Sequence, residues 1–289
     1  MDIELNGNLI IIGGAEDKKG RKKILDKVCN CINKERDILL VVTVATLYPK
    51  EAAEKYRNVF TNLGVRNIEV LNINSREDSY KDESIELIKK SRLIFFTGGD
   101  QLRITSLIGG TPVCEELKKS GVNGKYIVGT SAGASVMSDT MIVDGDDEES
   151  PRKCTLKMSP GMGFIENVII DQHFAQRGRI GRLLTGIAQN PDVLGIGIDE
   201  NTAIIVNKNG FFEVIGEGAV YIIDGSTISY SNVSEQYSDE ILSIYNVKLH
   251  VLREKDKFSL ARRTPFEEDK LKDEDNKTNS IWRTKHILS

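Results

Sequence analysis

Short apolar runs alternate with amphipathic segments through the first two-thirds of the chain. Leu9-Ile10-Ile11-Ile12, Ile38-Leu39-Leu40-Val41-Val42, Ile68-Glu69-Val70-Leu71, Leu93-Ile94-Phe95-Phe96 and Tyr126-Ile127-Val128 read as strands. Between them, residues 17–33 read as a helix with Ile24, Leu25, Val28 and Ile32 on one face, and residues 50–63 and 82–91 read as two more. Apolar strands separated by helices predict a mainly parallel sheet covered on both faces. Right-handed crossovers make this a doubly wound α/β fold, with its site at the carboxyl ends of the strands. From about Gly195 the texture changes. Strand-like runs at 203–206, 211–215, 219–223 and 243–252, with turns at Asn209-Gly210 and Asp224-Gly225, predict a C-terminal antiparallel β extension of the same domain. Residues 1–265 are expected to form one α/β domain. Residues 266–289, which include Trp282, form a charged tail whose composition predicts partial disorder.

Composition narrows the function classes. The chain has 289 residues, 39% hydrophobic and 28% charged, with a formal net charge of −4. No basic field argues for nucleic acid, and no apolar run reaches the roughly 20 residues of a membrane span. Met1-Asp2-Ile3-Glu4 lacks the basic start of a signal peptide, so a cytoplasmic location is expected. Cys29, Cys31, Cys114 and Cys154 lack zinc-like spacing and read as reduced thiols. Gly13-Gly14-Ala15 lacks the G-x-G-x-x-G pattern and reads as a tight turn.

The chemistry concentrates at Gly129-Thr130-Ser131-Ala132-Gly133. A G-x-S-x-G stretch between a strand and a helix is the context of a nucleophile elbow. It exposes Ser131 Oγ at a helix N-terminus, where free N–H groups stabilise negative charge. A serine nucleophile needs a base. Of the three histidines, His286 lies in the tail and His250 in an alternating strand, which leaves His173 at the end of the run Val168-Ile169-Ile170. Asp171, Asp199 and Glu200 are all candidates to orient its imidazole, and spacing does not choose among them. The N–H of Ala132 and a glycine N–H of Gly98-Gly99 supply a candidate oxyanion hole. Arg177, Arg179 and Arg182 follow His173 closely and suit an acidic substrate. The acidic run 144–149 suits a cationic group or a solvated loop.

Taken together, Thr97-Gly98-Gly99-Asp100-Gln101, the Ser131 elbow, Ser150-Pro151-Arg152, Asp171-Gln172-His173-Phe174, the spaced arginines and Asp199-Glu200-Asn201-Thr202-Ala203 resemble the cyanophycinases over about residues 8 to 265. The resemblance implies a cytosolic, usually homodimeric serine exopeptidase on a class I glutamine-amidotransferase-like fold. Such enzymes cut cyanophycin, a poly-aspartate carrying arginine on its side chains, into β-aspartyl-arginine dipeptides without metal or organic cofactor. It matches Ser131 to the nucleophile, His173 to the base and Glu200 to the third member. The amides of Gly99 and Ala132 fall at the oxyanion hole, and Gln101, Asp171, Gln172, Arg177, Arg179 and Arg182 at substrate positions. Cys154 stands where a glycine is expected, and the tail has no counterpart. An aspartyl dipeptidase is the nearest alternative activity. A non-catalytic binder of Arg- or Asp-rich polypeptide is the alternative of another class.

Overall fold

The computed structural model describes residues 8–145, 150–152, 156–235 and 240–266. The acidic stretch 146–149, Cys154, and the tail from residue 267 with Trp282 and His286 lie outside them.

The predicted apolar runs become β1 (Asn8–Ile12), β2 (Ile38–Val42), β3 (Asn67–Leu71), β4 (Leu93–Phe96) and β5 (Tyr126–Thr130). All pair in parallel, in the spatial order β1-β5-β4-β2-β3. Side chains alternate faces along a strand, and both faces here are apolar. Ile10, Ile12, Leu39, Val41, Leu93 and Phe95 pack with one set of helix residues, Ile24, Leu25, Tyr56 and Phe60. Leu9, Ile11, Leu40, Val42, Ile94 and Phe96 pack with another, Ile88, Ile104, Val113 and Leu117. That is why the runs of β1, β2, β4 and β5 are unbroken, whereas the edge strand β3 exposes Asn67 and Glu69 on one face.

The covering helices are α1 (Lys23–Cys29), α2 (Pro49–Asn62), α3 (Asp82–Lys90), α4 (Gln101–Ile108) and α5 (Pro112–Val122). Helices α2 and α3 match the expected spans within a residue or two. Helix α1 begins six residues later than the pattern predicts. The Asp17 carboxylate accepts the N–H groups of Lys19, Gly20 and Lys22 at 2.9, 2.7 and 2.9 Å, which folds this stretch into a loop instead of a helical turn.

After β5 come the four-residue α6 (Ala132–Ser135) and the antiparallel pair β6 (Thr140–Asp144) and β7 (Lys157–Pro160). Next are β8 (Val168–Gln172), α7 (Ile180–Gln189), β9 (Leu194–Ile198), β10 (Thr202–Val206), β11 (Phe211–Gly216) and β12 (Val220–Asp224). The last are β13 (Tyr230–Ser231), β14 (Ile244–Tyr245), β15 (Lys248–Leu252), β16 (Lys257–Ser259) and β17 (Thr264–Pro265).

The antiparallel extension is real but divided. Strands β10, β11, β16 and β17 continue the parallel sheet beyond β1, giving nine strands. Strands β15 and β12 instead join β9 and β8 in a separate four-stranded sheet. The His173 strand therefore belongs to a second sheet, not to the edge of the first. One apolar core includes both sheets: Leu9 and Ile127 of the first share a cluster with Ile170, Ile196 and Val220 of the second. His250, read as structural, sits on β15 with its ring 5.7 Å from that of Phe258.

Candidate active site

Strand β5 delivers its last residue into a sharp reversal at Ser131, whose backbone stands at φ 54°, ψ −115°. Glycine is required on either side by close approach. A Cβ on Gly129 would meet the Gly133 carbonyl oxygen at 2.1 Å, and one on Gly133 would meet the Phe96 carbonyl oxygen at 2.6 Å. Two further residues of the site also have positive φ, His173 at 51° and Asn201 at 49°. Strained backbone of this kind persists where the surroundings over-determine it, and it gathers at functional sites.

The three residues matched to the triad meet here from different elements. Ser131 Oγ lies 2.9 Å from His173 Nε2, and His173 Nδ1 lies 2.6 Å from Glu200 Oε1. The imidazole is largely buried, whereas the Glu200 carboxylate is 37% exposed. Burial lowers the pKa of His173; the charges of Arg177 and Arg179 lower it further, and together these outweigh the opposing pull of Glu200. The ring is therefore neutral and basic at neutral pH. The other two carboxylates are engaged elsewhere. Asp171 is taken by arginines, and Asp199 accepts the N–H groups of Ala175 and Ala219 at 2.9 and 3.0 Å.

Ala132 N–H opens α6, where a helix leaves its first donors without internal partners. Gly99 sits at the turn after β4 with φ 149°, and a Cβ there would meet the Ala45 carbonyl oxygen at 2.1 Å. A groove of about 900 Å³ opens beside it, lined by Ala45, Leu47, Asp100, Leu102, Arg103 and Pro160 among others.

The residues matched to substrate contacts divide into two sets. Asp171, Gln172, Arg179 and Arg182 are buried and bind one another. Arg182 donates from Nε and Nη2 to the two Asp171 oxygens at 2.7 and 2.5 Å. Arg179 Nη1 donates to the Gln172 side-chain oxygen at 2.6 Å, and Gln172 Nε2 donates to Ser135 Oγ at 3.0 Å. This network links the end of β8 to α6, beneath the elbow. Gln101 Nε2 donates to the Ile142 carbonyl at 3.0 Å, tying α4 to β6. Arg177, by contrast, is exposed close to His173.

Sequence reasoning read Gly14 only as part of a tight turn and passed over Glu16. A Cβ on Gly14 would meet the His173 ring at 2.4 Å. Glu16 is buried and accepts from the hydroxyl of Thr130, the neighbour of Ser131, at 2.5 Å. The available signal was an acidic residue two positions after a glycine pair at the end of the first strand.

The model of peptidase family S51 matches residues 9–214. A cyanophycinase of Geminocystis herdmanii is 36% identical over 263 residues, which cover 91% of this chain and 97% of that protein. A cyanophycinase of Synechococcus elongatus is 36% identical over 255 residues, covering 88% and 79%. Among solved structures, a peptidase from an acI-B1 Actinobacterium superposes with a TM-score of 0.60 at 25% identity, covering 76% of this chain and 91% of that one. The chain belongs to peptidase family S51 and is a serine-type peptidase.

Proposed function

We propose that this peptidase hydrolyses cyanophycin to β-aspartyl-arginine dipeptides through an acyl-enzyme on Ser131. The observation that carries the reading is the run of two hydrogen-bond contacts, 2.9 Å from Ser131 Oγ to His173 Nε2 and 2.6 Å from His173 Nδ1 to Glu200. Ser131 attacks the backbone carbonyl of the substrate while neutral His173 takes its proton at Nε2. Glu200 holds the Nδ1 proton, which selects that tautomer and stabilises the imidazolium. The Gly99 and Ala132 N–H groups receive the oxyanion. His173 then gives its proton to the leaving amine, and water resolves the ester.

In this reading the polymer's carboxylates first meet Arg177. Asp171, Gln172, Arg179 and Arg182 form the floor that keeps the His173 strand and the elbow in register, and a direct substrate contact by any of them requires an opening of that network. Gln101, on α4, is a further substrate position in this reading. The groove beside Gly99 accommodates the continuing chain. Residues 1–265 act as one unit with 266–289 appended, the protein works as a cytoplasmic homodimer, and no cofactor enters the reaction. Among the described residues no helix is long and apolar enough to cross a membrane, which supports only the absence of a helical span.

The test is a comparison of kcat/KM on cyanophycin and on a panel of α-aspartyl dipeptides. Release of β-aspartyl-arginine with strong preference for the polymer is expected. Cleavage of the dipeptides with the polymer left intact would replace the substrate and keep the chemistry.

A further inference from the structure

The end of β1 and the loop after it bond through their backbone to Ser131, to His173 and to the neighbour of Glu200. The Ile12 carbonyl accepts from Ser131 N–H at 3.1 Å, and the Gly13 carbonyl accepts from His173 N–H at 2.8 Å. The Gly14 carbonyl accepts from the N–H of Asn201, next to Glu200, at 2.9 Å. Asp17 N–H adds a bond to Asn201 Oδ1 at 2.9 Å. Three elements that are distant in sequence are thus registered against one short segment.

Within that segment Glu16 is only 3% exposed. Oε1 accepts from the Tyr56 hydroxyl at 2.6 Å and lies 2.7 Å from Lys18 Nζ. Oε2 accepts from the Thr130 hydroxyl at 2.5 Å. A buried carboxylate is costly unless it is paired and hydrogen-bonded, and here both oxygens have partners. Burial pushes the Glu16 pKa up, but the charge of Lys18 and the three donors outweigh it, so the group stays ionised. No step of the acyl transfer uses it.

We propose that Glu16 is a positioning residue: through Thr130 it locks the strained Ser131 elbow to the loop that hydrogen-bonds to His173 and Asn201, holding Ser131 Oγ within hydrogen-bond reach of His173 before substrate arrives. The inference rests on the reading of Ser131 as the nucleophile. Thr130 is the mechanical link. Its backbone ends β5 and its hydroxyl is the one group of the elbow that Glu16 grips. Without that grip the segment leading into Ser131 keeps its strand pairing but loses its side-chain anchor.

The experiment compares wild type with Thr130→Val, Thr130→Ser and Glu16→Gln. The readouts are the second-order rate at which a small fluorophosphonate labels Ser131, located by peptide mass spectrometry, together with kcat, KM on cyanophycin and Tm. Thr130→Val keeps the shape and loses the hydroxyl. Its labelling rate and kcat should both fall by about 10–100-fold while KM stays within about twofold. Thr130→Ser should recover to within about threefold of wild type, since it restores the donor. Glu16→Gln, which turns one of the two acceptor oxygens into a donor and removes the charge that grips the Thr130 hydroxyl, should label about tenfold more slowly and covers the case in which Thr130→Val does not fold. Folded Thr130→Val or Glu16→Gln protein that labels and turns over at the wild-type rate overturns the proposal. So does a loss confined to KM. If wild type is not labelled at Ser131, the nucleophile reading itself fails and the positioning role falls with it.

Discussion

Gly14→Ala should disable the site while leaving the fold intact. The new Cβ would lie 2.4 Å from both Cε1 and Nε2 of His173. Non-bonded carbon atoms rest at about 3.5–4.0 Å, so the ring must retreat by roughly 1 Å or more. The loop cannot easily give way instead, because Gly13 and Gly14 are pinned by the bonds from His173 N–H and Asn201 N–H at 2.8 and 2.9 Å. A retreat of that size stretches the 2.9 Å contact between Ser131 and His173 to the limit of hydrogen bonding. Misplacement by 1 Å can cost about 10²-fold in rate, and the full contribution of a general base is about 10²–10⁴-fold. We therefore expect kcat/KM on cyanophycin to fall by at least about 100-fold. The substitution also places a Cβ at φ 94°, a conformation that costs roughly 1–2 kcal/mol. Gly210→Ala is the control. Its φ is 74° and nothing lies within 4 Å of the added atom, so it carries a similar backbone penalty far from the chemistry. Both variants should lose a few degrees of Tm, and only Gly14→Ala should lose activity. Folded Gly14→Ala protein with kcat/KM within about threefold of wild type would refute the claim that this contact sets the ring position.

Three more expectations follow from the same geometry. Burial and the neighbouring arginines hold the His173 pKa below its ordinary value of 6.5, and the base must be neutral to act, so activity persists as pH falls until that lowered value is reached. Arg177→Gln removes one of the lowering charges and should move the acid limb of kcat/KM to higher pH; a limb that stays put or moves down contradicts this electrostatic account. Glu200→Gln should fold normally and lose about 10²–10⁴-fold in kcat through the wrong imidazole tautomer, and near-normal turnover would remove it from the triad. Asp171→Asn removes the charge that both buried arginines contact, and denaturant titration should show a loss of about 3–5 kcal/mol; a loss under about 1 kcal/mol would mean the network is not a structural floor.

The inner parallel strands were legible because each is covered on both faces, which makes the sequence continuously apolar; the edge strand β3 carries the exposed Glu69. Leu39 and Val41 enter one core cluster while Leu40 and Val42 enter the other. The same feature hid which sheet a strand joins. Ile169-Ile170 and Leu194–Ile198 look like further strands of the first sheet, yet β8 pairs with β9 and β9 with β12 in the separate sheet. An apolar run reports burial and carries no pairing information. The start of α1 was masked because Asp17 caps three N–H groups within a loop, a contact that hydrophobic periodicity cannot register. Helices α4 and α5 lay outside the pattern-based assignment, since the short α4 buries only Ile104 and Ile108. At the site, Ser131 and His173 followed from the elbow and from elimination. The choice of Glu200 over Asp171 and Asp199 followed only from the family resemblance, because it turns on long-range partners: Arg182 for Asp171, and the Ala219 N–H for Asp199. Glu16 escaped notice for the same reason, its donors Tyr56 and Thr130 lying 40 and 114 residues away.

The most direct test of the account is incubation of purified insoluble cyanophycin with wild type and with Ser131→Ala, followed by mass spectrometry of the soluble products. The account predicts β-aspartyl-arginine dipeptide from wild type and none from Ser131→Ala. Dipeptide release by Ser131→Ala at the wild-type rate would contradict the role of Ser131, and polymer left intact by wild type would contradict the substrate.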